Sequence, residues 1–276
     1  MSHEITAEFS KEELAASSLP LMYKTHLTIA CKTDLGRVRE NNEDKFEYYI
    51  SENEHTLALR GSVFVMCDGM GGHSAGQIAS ELTCKTFIDV YLHHASTEPE
   101  IAAREAVRAA NRYVLDVGRS VPARRGMGTT LSALIIWQDK AITVQVGDSR
   151  IYVYHDNELI QMTHDHTVAE EQVRLGIIGE EEAARHPNAH VLTRAVGVED
   201  IVEPDIELHN LGEGYIYILC SDGLTNHVPD DKIADIVSKY PPSESAWKLV
   251  NSALLDGGRD NCSVIIVRVD KIEKLN

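Results

Sequence analysis

Carboxylates stand at five points where a strand pattern gives out. Asp68-Gly69 closes "SVFVMC", Asp222-Gly223 closes "YIYILCS", and Asp148 follows "AITVQVG". Asp260-Asn261 precedes "CSVIIVRV", and Glu43-Asp44 precedes "KFEYYI". One aspartate at a strand end is ordinary turn chemistry. The same placement at every one of these ends, beside glycine or another turn residue, suggests a shared task. If the ends converge, the carboxylates cannot all stay ionised side by side. Divalent cations relieve that repulsion, and an all-oxygen donor set selects hard ions, Mg²⁺ or Mn²⁺.

The loop "VMCDGMGGHSAG" (65–76) admits two readings. Its backbone N–H groups could cradle a phosphate, or Asp68 could hold a cation to which the phosphate comes. "GMGGHS" approaches G-x-G-x-x-G, and Asp89 lies about 20 residues on, as a dinucleotide site would want. Yet Asp89 falls inside a helical pattern, and Ser74 stands at the third glycine position. The context for a dinucleotide is therefore missing.

Other chemistries find less support. Two Cys-x5-Arg matches exist, but "CKTDLGR" (31–37) places Asp34 where a phosphate would sit. The other, "CSVIIVR" (262–268), is a β-branched strand and not an N–H-lined loop. The five cysteines form no CxxC pair and read as small buried residues of a reducing compartment. There is no HExxH, and His164 and His166 in "HDH" read as structural.

The elements that must carry the acids are short β-rich runs: "HLTIAC", "KFEYYI", "SVFVMC", "TLSALIIW", "AITVQV", "RIYVYH", "YIYILC" and "CSVIIVRV". Two long helical patterns interrupt them, "SAGQIASELTCKTFIDVYLHH" and "PEIAAREAVRAANRYVLDVGR", and a further pair covers about 230–239 and 245–255. "DHTVAEEQVRLGIIGEEEAARHP" is helical but strongly charged, so it should lie outside the core. Residues 1–25 read as a tail or short capping helix. Short turns between strands imply antiparallel pairing, and the helices come in consecutive pairs. The expected class is α+β, with sheets packed face to face and helical pairs outside.

Composition excludes several partners. The 276 residues carry a net charge of −17, which opposes nucleic acid and anionic membrane surfaces alike. No apolar run reaches transmembrane length, and "MSHEITAEFSKEELAASS" lacks a basic apolar leader, so a cytoplasmic protein is expected.

Taken together, "TDLGRVRENNEDKF", "VFVMCDGMGGHSAG", "MGTTLSAL", "VQVGDSRIYV", "MTHDHT", "LTRAVG", "LCSDGLTN" and "GGRDNCSVIIV" resemble, in their order, the metal-dependent serine/threonine protein phosphatases of the PPM or type 2C group, in a bacterial form. The resemblance covers roughly 26–270. It implies a β-sandwich of two antiparallel sheets flanked by helical pairs, a phosphatase domain over 26–271 and a flap at about 163–193.

By resemblance, Asp68 bridges two metals, the Gly69 carbonyl binds one, and Asp222 and Asp260 complete the first metal's shell. Glu43 and Asp44 act mostly through metal-bound waters, with Asn261 as support. Asp148 with Asp222 holds a third, weaker ion, so two tight Mn²⁺ or Mg²⁺ ions plus a possible third are expected. Arg39 matches the phosphate-binding arginine, and His73 is one possible proton donor to the leaving group, beside a metal-bound water. Arg174, Arg185 and Arg194 of the flap stand within possible reach of substrate. The implied reaction is hydrolysis of phosphoserine and phosphothreonine in proteins, by a metal-activated bridging water attacking phosphorus in line. The implied partners are phosphoproteins, including a cognate Ser/Thr kinase or its targets, for a monomeric enzyme. A pseudophosphatase would have lost the acids, a partner-switching enzyme would carry an added sensor domain, and a two-metal nuclease is opposed by the acidic balance.

Overall fold

The computed structural model describes residues 19–72, 74–183 and 185–275. Most of the 1–25 tail, and His73, therefore lie outside the described residues.

Two antiparallel sheets make the frame. In the first, the order is β1 (Tyr23–Asp34), β11 (Cys262–Lys274), β10 (Ile216–Cys220), β7 (Arg150–His155) and β8 (Glu158–Gln161). In the second it is β2 (Asp44–Tyr49), β3 (Ser62–Met70), β5 (Leu131–Trp137), β6 (Lys140–Val146) and β9 (Asp205–Asn210), with the short β4 (Gly128–Thr129) on the end of β3. The segment from β1 to β2 thus supplies an edge strand to each sheet.

Strand alternation sorts the core into layers. In β3, Phe64 and Met66 point between the sheets, where they meet Leu134, Ile151, Leu219 and Ile265. Val63, Val65 and Cys67 point outward, onto the helices Ser74–His93 (α2) and Pro99–Ser120 (α3). Ile218, Cys220, Val264 and Ile266 likewise face Ile233 and Leu249 of the helices Asp230–Lys239 (α7) and Pro242–Leu255 (α8). Strands buried on both faces read as unbroken apolar runs, which is why "SVFVMC" and "CSVIIVRV" stand out in the sequence.

Several elements carry weaker signals. Residues 54–60 form a short helix (α1) whose end is fixed by the buried Arg60. The Arg60 guanidinium donates to the carbonyls of Leu92, His94 and Ser96 and lies 5.6 Å from the Tyr91 ring centroid. The edge strands β8 and β9 are largely solvent-facing and polar, so they lack the apolar run that marks the interior strands. The charged stretch after Asp165 is two short helices, Val168–Arg174 (α4) and Glu180–Ala183 (α5), and not one. The interruption falls at Gly176–Gly179, where glycine disfavours a continuous helix. One further turn of helix, Asp222–Thr225 (α6), follows β10.

Candidate metal centre

The acids converge where the two sheets part. Asp44 and Asp68 are direct cross-strand partners in the β2–β3 ladder. They share the face of Phe46 and Met66, so both carboxylates project into the gap where the intersheet core runs out. From the other sheet, Asp222 opens the turn after β10 and Asp260 stands just before β11. Asp148 occupies the β6–β7 turn. Asp68, Asp148, Asp222 and Asp260 line one cleft of about 960 Å³, together with Arg39, Glu43, Gly69 and Asn261.

Crowding shows in the proton affinities. Burial, and then the charges of Asp222 and Asp260, push the Asp44 carboxyl up to about 7. Asp148 is pushed to about 7 by burial and by Asp222 and Asp165. Asp68 lies well above the usual carboxylate range, through desolvation and then Asp44, Asp222, Asp148 and Asp260. Asp222 is raised by burial and by Asp260, while Asn226 Nδ2 donates to its Oδ2 at 3.1 Å. Asp44 accepts from the Ser221 hydroxyl at 2.7 Å through Oδ2, while its buried Oδ1 finds no donor among the described residues. An orphaned buried carboxylate oxygen within a ring of acids fits a hard divalent cation.

The backbone is built to match. The Asp68 carbonyl accepts from the Thr130 N–H and the Thr129 hydroxyl, and the Asp68 N–H donates to Thr130 Oγ1. At Gly69 a Cβ would meet the Gly76 carbonyl oxygen at 2.2 Å and that of Glu43 at 2.7 Å. Only glycine lets the strand, the β2 entry and the first turn of α2 close to this distance. The Glu43 N–H donates to Asn261 Oδ1 at 2.8 Å, and Asn261 Nδ2 donates to the carbonyls of Leu35 and Asn41. Asn261 therefore ties the loop carrying Arg39 and Glu43 to the strand that follows Asp260. Arg39 is exposed at the cleft and donates to Asp260 Oδ2 at 2.6 Å.

One group was not anticipated from the sequence. A ligand atom each from Asp148, Asp222 and His190 lie within 4.8 Å of one another. His190 sits on the returning limb of the flap, far along the chain from both acids, so no local spacing announces it. Of the flap arginines, Arg194 lines the cleft and pairs with Asp205 at 2.6 Å. Arg174 pairs with Glu171 of its own helix. His164 is exposed, whereas His166 is buried beside the Asp148 turn. Four thiols are held back from ionisation: burial raises Cys31 to about 11 and Cys220 to about 12, and lifts Cys67 and Cys262 as well.

Residues 32–262 match the family described as protein phosphatase 2C. The chain belongs to that family. It is 35% identical over 248 residues to the serine/threonine phosphatase stp of Listeria monocytogenes serovar 1/2a, covering 88% of this chain and 96% of the relative. The S. agalactiae serine/threonine phosphatase superposes with a TM-score of 0.80 at 34% identity, over 88% of this chain and 100% of that one. The catalytic domain of the phosphatase PstP, solved in complex with two manganese ions, matches with a TM-score of 0.76 at 34% identity, over 89% and 99% of the two chains. The α+β sandwich of this family member is thus the one its motifs imply.

Proposed function

We infer that this member of the protein phosphatase 2C family is a metal-dependent protein serine/threonine phosphatase. The observation that carries the reading is the convergence of Asp44, Asp68, Asp148, Asp222 and Asp260 around a buried, unpartnered carboxylate oxygen. Bound Mn²⁺ or Mg²⁺ supplies a water acidic enough to serve as nucleophile near neutral pH and offsets charge on the phosphoryl group.

The proposed residue roles are those the family resemblance implies, and the convergence of the acids supports them. Asp68, the Gly69 carbonyl, Asp222 and Asp260 would hold two tight ions, with Asp44, fixed by the Ser221 hydroxyl, beside them. Asp148 and Asp222 hold a third and weaker one, to which His190 offers a ring nitrogen. Glu43 and Asn261 fix the loop that presents Arg39. Arg39 stands at the cleft, oriented by Asp260, and its planar fork can take two oxygens of an incoming phosphate. The leaving alkoxide requires a proton, for which a water held beside Asp148 is one proposed donor and His73, on sequence position alone, the other.

The wall formed by Thr193, Arg194, Val198 and Ile201 gives the phosphopeptide chain a surface beside the acids. Its partners would be phosphoserine and phosphothreonine proteins, a cognate kinase or its targets among them. The five free cysteines accord with the reducing cytoplasm. The proposed working form is a monomer. Hydrolysis of a phosphothreonine peptide, with and without Mn²⁺, tests the reading: full activity in excess chelator, or none with any divalent ion, would overturn it.

A further inference from the structure

Two histidines with largely covered side chains stand in matching positions at the edge of the centre. His166 is 2% exposed, and its Nδ1 accepts the Gly147 N–H at 3.2 Å. Gly147 immediately precedes Asp148. The side chain of His227 is 7% exposed, and its Nε2 accepts the Arg259 N–H at 3.3 Å. Arg259 immediately precedes Asp260. In each case the opposite ring nitrogen faces a carboxylate: Nε2 of His166 lies 3.0 Å from Asp205 Oδ2, and Nδ1 of His227 lies 3.0 Å from Asp256 Oδ2.

We propose that His166 and His227 are positioning residues, each holding the backbone just before one acid of the metal centre and so setting where Asp148 and Asp260 stand. The proposal rests on the reading above, that these two acids hold cations.

Hydrogen-bond valence decides the ring states. A backbone N–H can only donate, so the nitrogen it reaches must carry a lone pair. The proton of a neutral imidazole then sits on the other nitrogen and is donated to the carboxylate, which fixes tautomer and ring orientation. The two rings must therefore be opposite tautomers, Nε2–H in His166 and Nδ1–H in His227. Lysine and arginine cannot take this place because neither accepts. Burial lowers the proton affinity of His166, against the pull of Asp205, in keeping with a neutral ring.

Both turns need such a hold. Gly147 has φ +101°, and a Cβ there would lie 2.6 Å from Thr130 Cγ2, so the turn into Asp148 is closely constrained. Gly257 and Gly258 have φ +123° and +54°, so the loop into Asp260 turns through left-handed backbone as well. Each histidine also ties its acid to a second part of the site. The His166 N–H donates to the Gly147 carbonyl, and its carbonyl accepts the Thr193 N–H, which joins the Asp148 turn to the returning limb of the flap. Asp205 extends this through its pair with Arg194. The His227 N–H donates to the Leu224 carbonyl, so its ring spans from the turn opened by Asp222 to the loop that delivers Asp260.

The proposal predicts opposite selectivity in metal binding. His227→Leu should weaken a tight Mn²⁺ site by about tenfold, the low end of the effect of removing a partner that orients a ligand. His166→Leu should leave both tight sites near wild type and weaken the third ion by about tenfold. Calorimetric Mn²⁺ titration of the folded variants, beside Asp260→Asn and wild type, reads both. Wild-type affinities in both histidine variants, with Asp260→Asn impaired, would overturn the inference and leave the phosphatase reading intact. A wild type that takes up no Mn²⁺ would fell that reading and this inference with it. Ring-nitrogen NMR of the Mg²⁺-loaded wild-type protein decides the matter even if a variant fails to fold. Opposite neutral tautomers at pH 7, as assigned above, support the proposal; reversed tautomers or a doubly protonated ring overturn it.

Discussion

The two sides of the metal centre are built differently. On one side, Asp44 and Asp68 sit in a β-ladder, and Asp222 and Asp260 stand at the ends of strands buried between other strands. On the other side, His190 is an exposed residue of the flap, and Arg194 reaches the cleft from the flap base. Asp148 lies between the two, in a turn on the scaffold that faces the flap residue. Groups that must hold charge at fixed separation are carried by rigid strands, whereas groups that meet a varied substrate are carried by a loop.

If that division is right, the effects of perturbing each side should form a series. Chelation comes first: activity on an aryl phosphate and on a phosphopeptide should vanish in excess chelator. Returning Mn²⁺ at a hundred times its Kd should add about 2.7 kcal/mol of stability, visible as a higher melting temperature. Alkylating the thiols with metal present should leave activity intact, and a loss there would reopen cysteine chemistry. Next, Asp222→Ala removes a proposed ligand from the strand-anchored side, and turnover should fall by more than about a hundredfold together with Mn²⁺ binding. Retained Mn²⁺ binding in that variant would mean that Asp222 is no ligand.

Asp148→Ala tests the boundary between the two sides. The tight ions should remain, while turnover of a phosphopeptide falls by roughly a hundredfold if protonation of the leaving alkoxide is impaired. An aryl phosphate, with its better leaving group, should lose less. Equal losses on both substrates, in a protein that melts like wild type, would rule out the proton-delivery role. Arg39→Ala should cost about 1.5–3 kcal/mol in kcat/KM, the range for hydrogen bonds to charged groups, with metal affinity near wild type. Because Arg39 also touches Asp260, calorimetry matters here: lost Mn²⁺ binding would make it a partner of the acids and not of the substrate. His190→Ala should have the smallest effect on turnover, weakening the third ion alone, because Asp148 and Asp222 still hold it. A loss as deep as that of Asp148→Ala would erase the distinction between the two sides.

Much of the anchored side was legible before any coordinates. An interior strand announces itself as an apolar run, so an acid at either end of one is conspicuous, as Asp68, Asp222 and Asp260 are. The covered faces of α2, α3, α7 and α8 follow from helical periodicity. The flap side was not legible, because its signals are long-range. His190 meets Asp148 and Asp222 only through the path of the folded chain, and His166 and His227 act on backbone groups, which leave no spacing to read. The polar edge strand β9 was missed for a related reason: half exposed, it has no run of apolar residues. Yet it carries Asp205, which faces both His166 and Arg194.

The segment from Tyr23 to Tyr49 is bonded along the margin of one sheet and then along the margin of the other. It brings Arg39, Glu43 and Asp44, while every other acid of the centre comes from the rest of the chain. Severing the polypeptide between β2 and α1 would therefore divide the active site as well as the fold, leaving neither piece competent alone. Rejoined along those open margins, the pieces would form a reporter whose signal is turnover, switched on only when both sheets have received their missing border.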